Sequence, residues 1–246
     1  MAEKERLDLL LVSRGLAPSR QRAQALILSG NVLVNDQPIT KAGENVSVHS
    51  VIRIREMDHP FVSRGGVKLE KAIQDFKIPI QYRVGLDIGA STGGFTQVLL
   101  NHGAKKVFAI DVGHNQMDWM IRQDPRVVVM EKTNARSLTF EQIGEKVGVI
   151  VVDVSFISLE KIFPAAKQFA TEETDWITLI KPQFEVGREK VGKGGIVQSE
   201  ADQNDAVERI RRFGESLGLA RMALIESPIK GTQGNREFLA HWKLVN

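Results

Sequence analysis

The stretch Gly85-Leu-Asp-Ile-Gly-Ala-Ser-Thr-Gly-Gly-Phe-Thr joins an apolar run to a helical pattern. Glycines at such a strand-to-helix turn let the backbone approach a ligand closely. The candidate ligand loop is therefore Gly89, Ala90, Ser91, Thr92, Gly93 and Gly94, although an N-capping turn with structural glycines would share its composition. It lacks the GxGxxG spacing of dinucleotide sites, and Asp87, near the end of the run, would gain nothing beside a phosphate. Asp87 instead suits a ligand bearing an ammonium group. Asp111 ends the next apolar run, about 20 residues further on, where a carboxylate can accept hydrogen bonds from ribose hydroxyls. An adenosyl ligand with a cationic tail satisfies both acids. Two more charges end apolar runs, Asp153 in Val151-Val-Asp-Val-Ser-Phe and Lys181 in Leu179-Ile-Lys-Pro-Gln-Phe. Either alone reads more readily as a strand reaching solvent. Together they lie on the ligand side of one sheet, where adjacent strands are roughly 5 Å apart and the two charges can meet.

These residues require an α/β scaffold. Strand-like runs occur at Val84-Gly-Leu-Asp-Ile, Val107-Phe-Ala-Ile, Val127-Val-Val-Met, Val147-Gly-Val-Ile-Val-Val, Trp176-Ile-Thr-Leu-Ile, Met222-Ala-Leu-Ile and Glu237-Phe-Leu-Ala-His-Trp. Helical patterns separate most of them, including one from Val67 to Phe76. Continuous apolar runs alternating with helices predict a doubly wound, mostly parallel sheet of about seven strands. The last two runs, joined by a loop alone, predict a C-terminal antiparallel hairpin.

The first 55 residues read differently. Leu7, Leu10 and Leu11 suggest a short helix stopped by Gly15; Pro18 and Ser19 mark a second helix, with Ala23, Leu26 and Ile27 on its apolar face. Short strands follow at Asn31-Val-Leu-Val, Val46-Ser-Val and Ile52-Arg-Ile. Pro60 and the Gly65-Gly66 pair punctuate the next segment. The expected organisation is a small α+β domain over 1–55, a linker over 56–63 and a large domain over 64–246.

The 246 residues carry a net charge of +3, and the small domain accounts for all of it with eight basic and five acidic side chains. That placement suits a polyanion-binding module. With no cysteine, a disulfide framework, a Cys-ligated zinc and a thiol nucleophile are excluded, and a reducing cytoplasm is expected. No metal site is expected. No apolar run exceeds four residues, as in Val149 to Val152, against the roughly 18 that suggest a membrane span. The N-terminal residues have no signal-peptide pattern, so the expectation is neither membrane insertion nor secretion.

Residues 5 to about 54, with RLDLLLVSRGLAPSRQRAQALILSGNVLVND, resemble the ribosomal-protein type of small RNA-binding domain. From residue 62 onward, SRGGVKLEKA, GLDIGASTGGFTQVLL, AIDVGHNQ, VVDVSFISL, LIKPQFEVG and GNREFLAHW are similar to ribose 2′-O-methyltransferases related to the cell-division-associated (FtsJ-like) rRNA enzyme. The combination resembles the hemolysin-A-like (TlyA) rRNA methyltransferase family over almost the whole chain. The resemblance implies a Rossmann-like methyltransferase sheet, S-adenosyl-L-methionine as cofactor, and a catalytic tetrad at Lys68, Asp153, Lys181 and Glu237. It assigns the loop Gly89–Gly94 to the cofactor, Asp111 to its ribose and Asn134 to a place near the adenine.

A ribose hydroxyl is a poor nucleophile and a positioned base assists its attack. Desolvation and a neighbouring cation make a lysine fit for that task. The expected roles are Lys181 as base, Lys68 as the neighbouring cation, and Asp153 and Glu237 as the groups that orient the two amines. Arg6, Arg14, Ser19, Arg20 and Arg22 form the expected RNA-docking face, where they can reach phosphates without reading sequence. Arg188, Lys190 and Lys193, with Gly194-Gly195, suggest a mobile strap beside the active site. The implied partner is ribosomal RNA or a ribosomal subunit, with cytidine as target. A membrane-active hemolysin and a non-catalytic RNA-binding assembly factor are the alternatives.

Overall fold

The computed structural model describes residues 3–17, 19–28, 30–54, 59–231 and 234–245. Pro18, at the expected start of the second helix, and residues 56–58 of the expected linker lie outside the described residues. The chain divides into two units, Met1–Pro60 and Phe61–Asn246.

In the first unit, β1 (Lys4–Arg6) leads into the helix Leu7–Ser13, and a second helix spans Arg20–Leu28. Strands β2 (Val32–Val34), β3 (Gln37–Ile39), β4 (Asn45–Ser47) and β5 (Ile52–Ile54) follow. β1 pairs with β4, and β2 lies between β3 and β5. Asn35 and Asp36, with φ of 50° and 66°, make the left-handed turn that suits a twisted β2–β3 hairpin. Leu7, Leu10, Leu11, Ala23, Ile27 and Val32 form the core. Local sequence does not announce β1 or β3: β1 is a run of charges held by β4, and β3 holds a proline that only an edge strand tolerates.

The second unit is built on one seven-stranded sheet of β6 (Val84–Ile88), β7 (Lys106–Ile110), β8 (Val127–Met130), β9 (Val149–Val152), β10 (Asp175–Ile180), β11 (Leu219–Glu226) and β12 (Phe238–Leu244). The spatial order is β11-β12-β10-β9-β6-β7-β8. β6 to β10 are parallel, and β12 and β11 are added antiparallel. The chain leaves β6 first towards β8 and then returns to β9 on its other side, so the ligand-binding switch point lies at the carboxyl ends of β6 and β9.

Successive strand residues alternate between two apolar layers. Leu86, Ile88, Ile150, Val152, Trp176 and Ile180 face one layer. Val107, Ala109, Val149, Val151, Ile177, Leu179 and Leu239 face the other, where they meet Leu69, Ala72, Val98 and Leu99 from the helices Gly65–Phe76 and Gly94–Asn101. Continued by one step, the same alternation turns Asp111, Asp153, Lys181 and Glu237 towards this second layer. Asp87 shares their parity.

Residues 61–63, expected in the linker, belong instead to the second unit. Phe61 is buried in its core and the Val62 N–H donates to Gln97 Oε1 at 2.7 Å. An aromatic beside Pro60 and two glycines reads as loop composition; its burial depends on the helix Gly65–Phe76, which starts two residues before the expected Val67.

At the amino end of β10, buried Asp175 accepts from Arg83 at 2.6 Å and pairs with His241 at 2.7 Å and Lys243 at 3.1 Å. Burial alone would push this carboxyl up, but His241, Arg83 and Lys243 outweigh it and hold it at about 2. A folded-state value below the unfolded one stabilises the native protein above about pH 4, and the contribution disappears as pH falls through about 2. Asp175→Asn should cost about 2 kcal/mol at pH 7 and make the acid limb of stability shallower. Denaturant unfolding from pH 7 to pH 2 measures both, and an equal deficit of the variant at every pH would refute the assignment.

Candidate active site

The two lysines are buried and each meets a carboxylate. Lys181 follows β10 and Asp153 follows β9; their ion pair spans 2.6 Å, and Lys181 Nζ donates to Ser155 Oγ at 3.0 Å. The Lys181–Asp153 contact is a charge pair rather than an aligned hydrogen bond, and Asp153 Oδ1 receives no hydrogen bond from the described residues. Lys68 projects from the first turns of Gly65–Phe76 and pairs with Glu237 Oε2. Lys68, Lys181 and Glu237 are 8%, 8% and 3% exposed, a placement that charged groups tolerate only when paired. All four expected tetrad residues thus gather on one face as two ion pairs. Glu237 is not on a free edge, because β12 lies between β10 and β11. Its strand runs antiparallel, so its amino end reaches the side where β9 and β10 have their carboxyl ends.

The glycine loop adjoins this group. Gly89 has φ of +88°, and a Cβ built there would stand 2.2 Å from the Asp153 carbonyl oxygen. Any side chain would separate the loop from β9. Gly94 opens the helix Gly94–Asn101, where a Cβ would meet Ser63 Oγ at 2.2 Å and Gly66 N at 3.0 Å. That contact seats the Lys68 helix against the loop.

The carboxylates around the loop fit a cationic adenosyl ligand. Asp111 accepts from Ser91 N–H at 2.8 Å and Gly113 N–H at 2.6 Å, one at each oxygen, which leaves acceptor capacity for hydroxyls. Fully buried Asp87 accepts from Thr96 Oγ1 at 2.6 Å through Oδ2, while Oδ1 has no donor among the described residues. Burial pushes the Asp87 carboxyl up to about 7; the Thr96 bond opposes the rise, and the charges of Asp153 and Asp111 add to it. An orphan acceptor among three carboxylates is complementary to an ammonium group. Asn134 lies beyond β8, beside Asp111 through the Thr133 N–H to Asp111 carbonyl bond of 2.9 Å. Its carbonyl caps the following turn at Arg136 N, 3.1 Å.

The expected RNA-docking residues already have intramolecular roles. Arg6 and Arg20 bind buried Asp8, with Gln24 as a third donor, and these bonds hold the Asp8 carboxyl well below the usual range despite its burial. Their side chains remain 42% and 53% exposed. Arg14 donates to the carbonyls of Ser50 and Val48, and Ser19 Oγ accepts from the Arg22 N–H at 3.2 Å. The segment of the expected strap makes several contacts of its own. Lys190 pairs with Asp202 at 2.6 Å, while Asn235 binds the Gly195 carbonyl at 2.8 Å and the Val197 N–H at 3.0 Å. Arg188 and Lys193 remain exposed. The sequence reading missed Asn235 because its partners lie about forty residues away. It also missed Phe156, 89% exposed with φ of 63°, which leans on Phe184 at 5.1 Å. Its placement next to Ser155 was the available signal.

The family model described as FtsJ-like methyltransferase matches residues 61–244, and the S4 domain model matches residues 5–52. The 16S/23S rRNA (cytidine-2′-O)-methyltransferase TlyA of Mycobacterium tuberculosis (strain ATCC 25618 / H37Rv) is 44% identical over 239 residues, 97% of this chain and 89% of that one. Hemolysin A of Brachyspira hyodysenteriae is also 44% identical, over 96% of this chain and 99% of its own. A solved structure of a hemolysin-named Streptococcus thermophilus protein superposes with a TM-score of 0.77 at 38% identity, covering 100% of this chain and 90% of that one.

S-adenosylmethionine is the cofactor, and Asp87 is its expected electrostatic partner. Its affinity should fall about fivefold between pH 7 and pH 6 as Asp87 takes up a proton. Calorimetric titration of wild type and Asp87→Asn checks this. The variant should bind more weakly with a flatter profile, whereas parallel profiles would contradict the pairing.

Proposed function

The chain belongs to the FtsJ-like methyltransferase family, and from that premise we propose that it methylates the ribose 2′-hydroxyl of cytidine in ribosomal RNA. The observation that carries the proposal is the pairing of two buried amines with two carboxylates on the sheet face shared by Asp87 and Asp111. Amine or carbon acceptors do not call for two such amines. A ribose hydroxyl does, because its proton must leave as the oxygen attacks.

In this reading the Asp87 carboxylate, the Gly89–Gly94 backbone, Asp111 and Asn134 hold the cofactor, which supplies the electrophilic methyl group. Asp153 and Ser155 fix Lys181 so that its Nζ, in the neutral amine form that the base role requires, receives the hydroxyl proton. Glu237 fixes Lys68, which adds the second positive charge to the face. Exposed Phe156, three residues after Asp153, offers a nucleobase a stacking surface.

RNA docking belongs to the S4 domain, through the exposed ends of Arg6 and Arg20 together with Arg14, Ser19 and Arg22. Because Arg6 and Arg20 share buried Asp8, each presents its remaining guanidinium donors in a fixed direction. Arg188, Lys190 and Lys193 extend the basic surface of the large unit. Ribosomal subunits in the cytoplasm are the partner this chemistry implies. The hemolysin name of one relative has no counterpart in a spanning helix: among the described residues, no helix is long and apolar enough to cross a membrane.

Lys181→Ala should lower methyl incorporation into ribosomal RNA by a factor on the order of 100 or more while leaving cofactor binding and folding intact. Transfer at the wild-type rate by a folded variant would remove Lys181 from the role of base.

A further inference from the structure

Glu185 ends the one-turn helix Pro182–Glu185 that follows Lys181 and is buried. A buried carboxylate usually has a cation at its oxygens. Glu185 has two neutral donors instead, the Leu159 N–H to Oε1 at 3.0 Å and the Ser158 hydroxyl to Oε2 at 2.5 Å. Arg209 binds the Glu185 backbone carbonyl at 2.9 Å and directs its charge to Glu160 at 2.8 Å.

The partners identify what this carboxylate joins. Ser158 and Leu159 belong to the segment that leaves β9 through Asp153 and Ser155. Glu185 belongs to the segment that leaves β10 through Lys181. The same two segments carry the Lys181–Asp153 and Lys181–Ser155 contacts, and Phe156 against Phe184 joins them a third time. Bond direction favours the carboxylate: Ser158 Oγ accepts from the Glu160 N–H at 3.1 Å and donates onward to Glu185. A proton on Oε2 would force Ser158 to turn its hydrogen away.

We propose that Glu185 is a positioning residue for methyl transfer: its carboxylate holds the Ser158–Leu159 turn against the Lys181 helix and thereby sets Asp153 and Ser155 in register with the base. The inference rests on the reading of Lys181 as that base. Burial raises the Glu185 carboxyl to about 7, against the bonds from Ser158 and Leu159; Glu160 adds to the rise and Arg209 opposes it. The ionised, well-ordered form is therefore lost as pH falls through neutrality, and the rate falls with it.

The test is kcat and KM for the full-length protein acting on ribosomal subunits, from pH 5.5 to 8.5. Glu185→Gln imitates the protonated form. It should reduce kcat at pH 8 about tenfold, leave both KM values within about twofold, and lack the wild-type inflection near 7. Ser158→Ala removes one donor while keeping the charge, and should move that inflection up by about one pH unit. A Glu185→Gln enzyme with wild-type kcat and pH profile, or an unmoved inflection in Ser158→Ala, overturns the proposal. Lys181→Ala run beside them separates the two readings. If it retains transfer, the base assignment fails; if it abolishes transfer while Glu185→Gln behaves as wild type, only the positioning role fails.

Discussion

Placing four ionisable groups, three of them buried, on one face of a sheet is tolerable only if each finds an opposite charge, and the large unit is arranged around that requirement. Lys181 meets Asp153 and Lys68 meets Glu237 because strands β9, β10 and β12 are neighbours and the Lys68 helix packs across them. Breaking either pair by truncation would leave a buried charge without compensation, typically a larger loss than the pair contributes when intact. The same electrostatic need limits where the chain can go. β12 must run antiparallel inside the sheet to deliver Glu237 to the active end, and Gly89 must lack a side chain for the cofactor loop to touch β9.

Around Asp87 the balance is left incomplete. Its unpartnered oxygen, repelled by Asp111 and Asp153, waits for a cation that the protein itself does not provide. The tetrad is charge-matched in the protein alone, while the cofactor side acquires its match on binding. Under the proposed function, a site with this division would bind a cationic donor at one end and keep two amines ready for a hydroxyl at the other. In the S4 unit, Asp8 plays a comparable part by fixing two arginines whose outer faces remain available to phosphates.

Much of this was legible in the sequence through period-2 alternation. Val107 and Ala109 point the way for Asp111, Val149 and Val151 for Asp153, Ile177 and Leu179 for Lys181, and Leu239 for Glu237. Each of these candidate residues is the charged continuation of an apolar stripe, so strand parity predicts its face before any contact is known. What stayed hidden depends on chain segments far apart. Asn235 looks like a turn residue until Gly195 and Val197 are brought to it, and Glu185 looks like a solvated glutamate in a basic loop until the Ser158 turn closes over it. The expected strap likewise read as free because the acidic partner of Lys190, Asp202, sits on the following helix Glu200–Ser216. The linker was drawn too long because Phe61 is recognisable as core only once the helix Gly65–Phe76 is in place.

The central claim is that the acceptor is a ribose oxygen of cytidine in ribosomal RNA. Incubating purified ribosomal subunits with the protein and methyl-labelled S-adenosylmethionine, followed by digestion and mass spectrometry of the nucleosides, tests it most directly. Label should appear in 2′-O-methylcytidine. Label confined to base-methylated nucleosides or to ribosomal protein, or no transfer by protein that binds both cofactor and subunit, would contradict it.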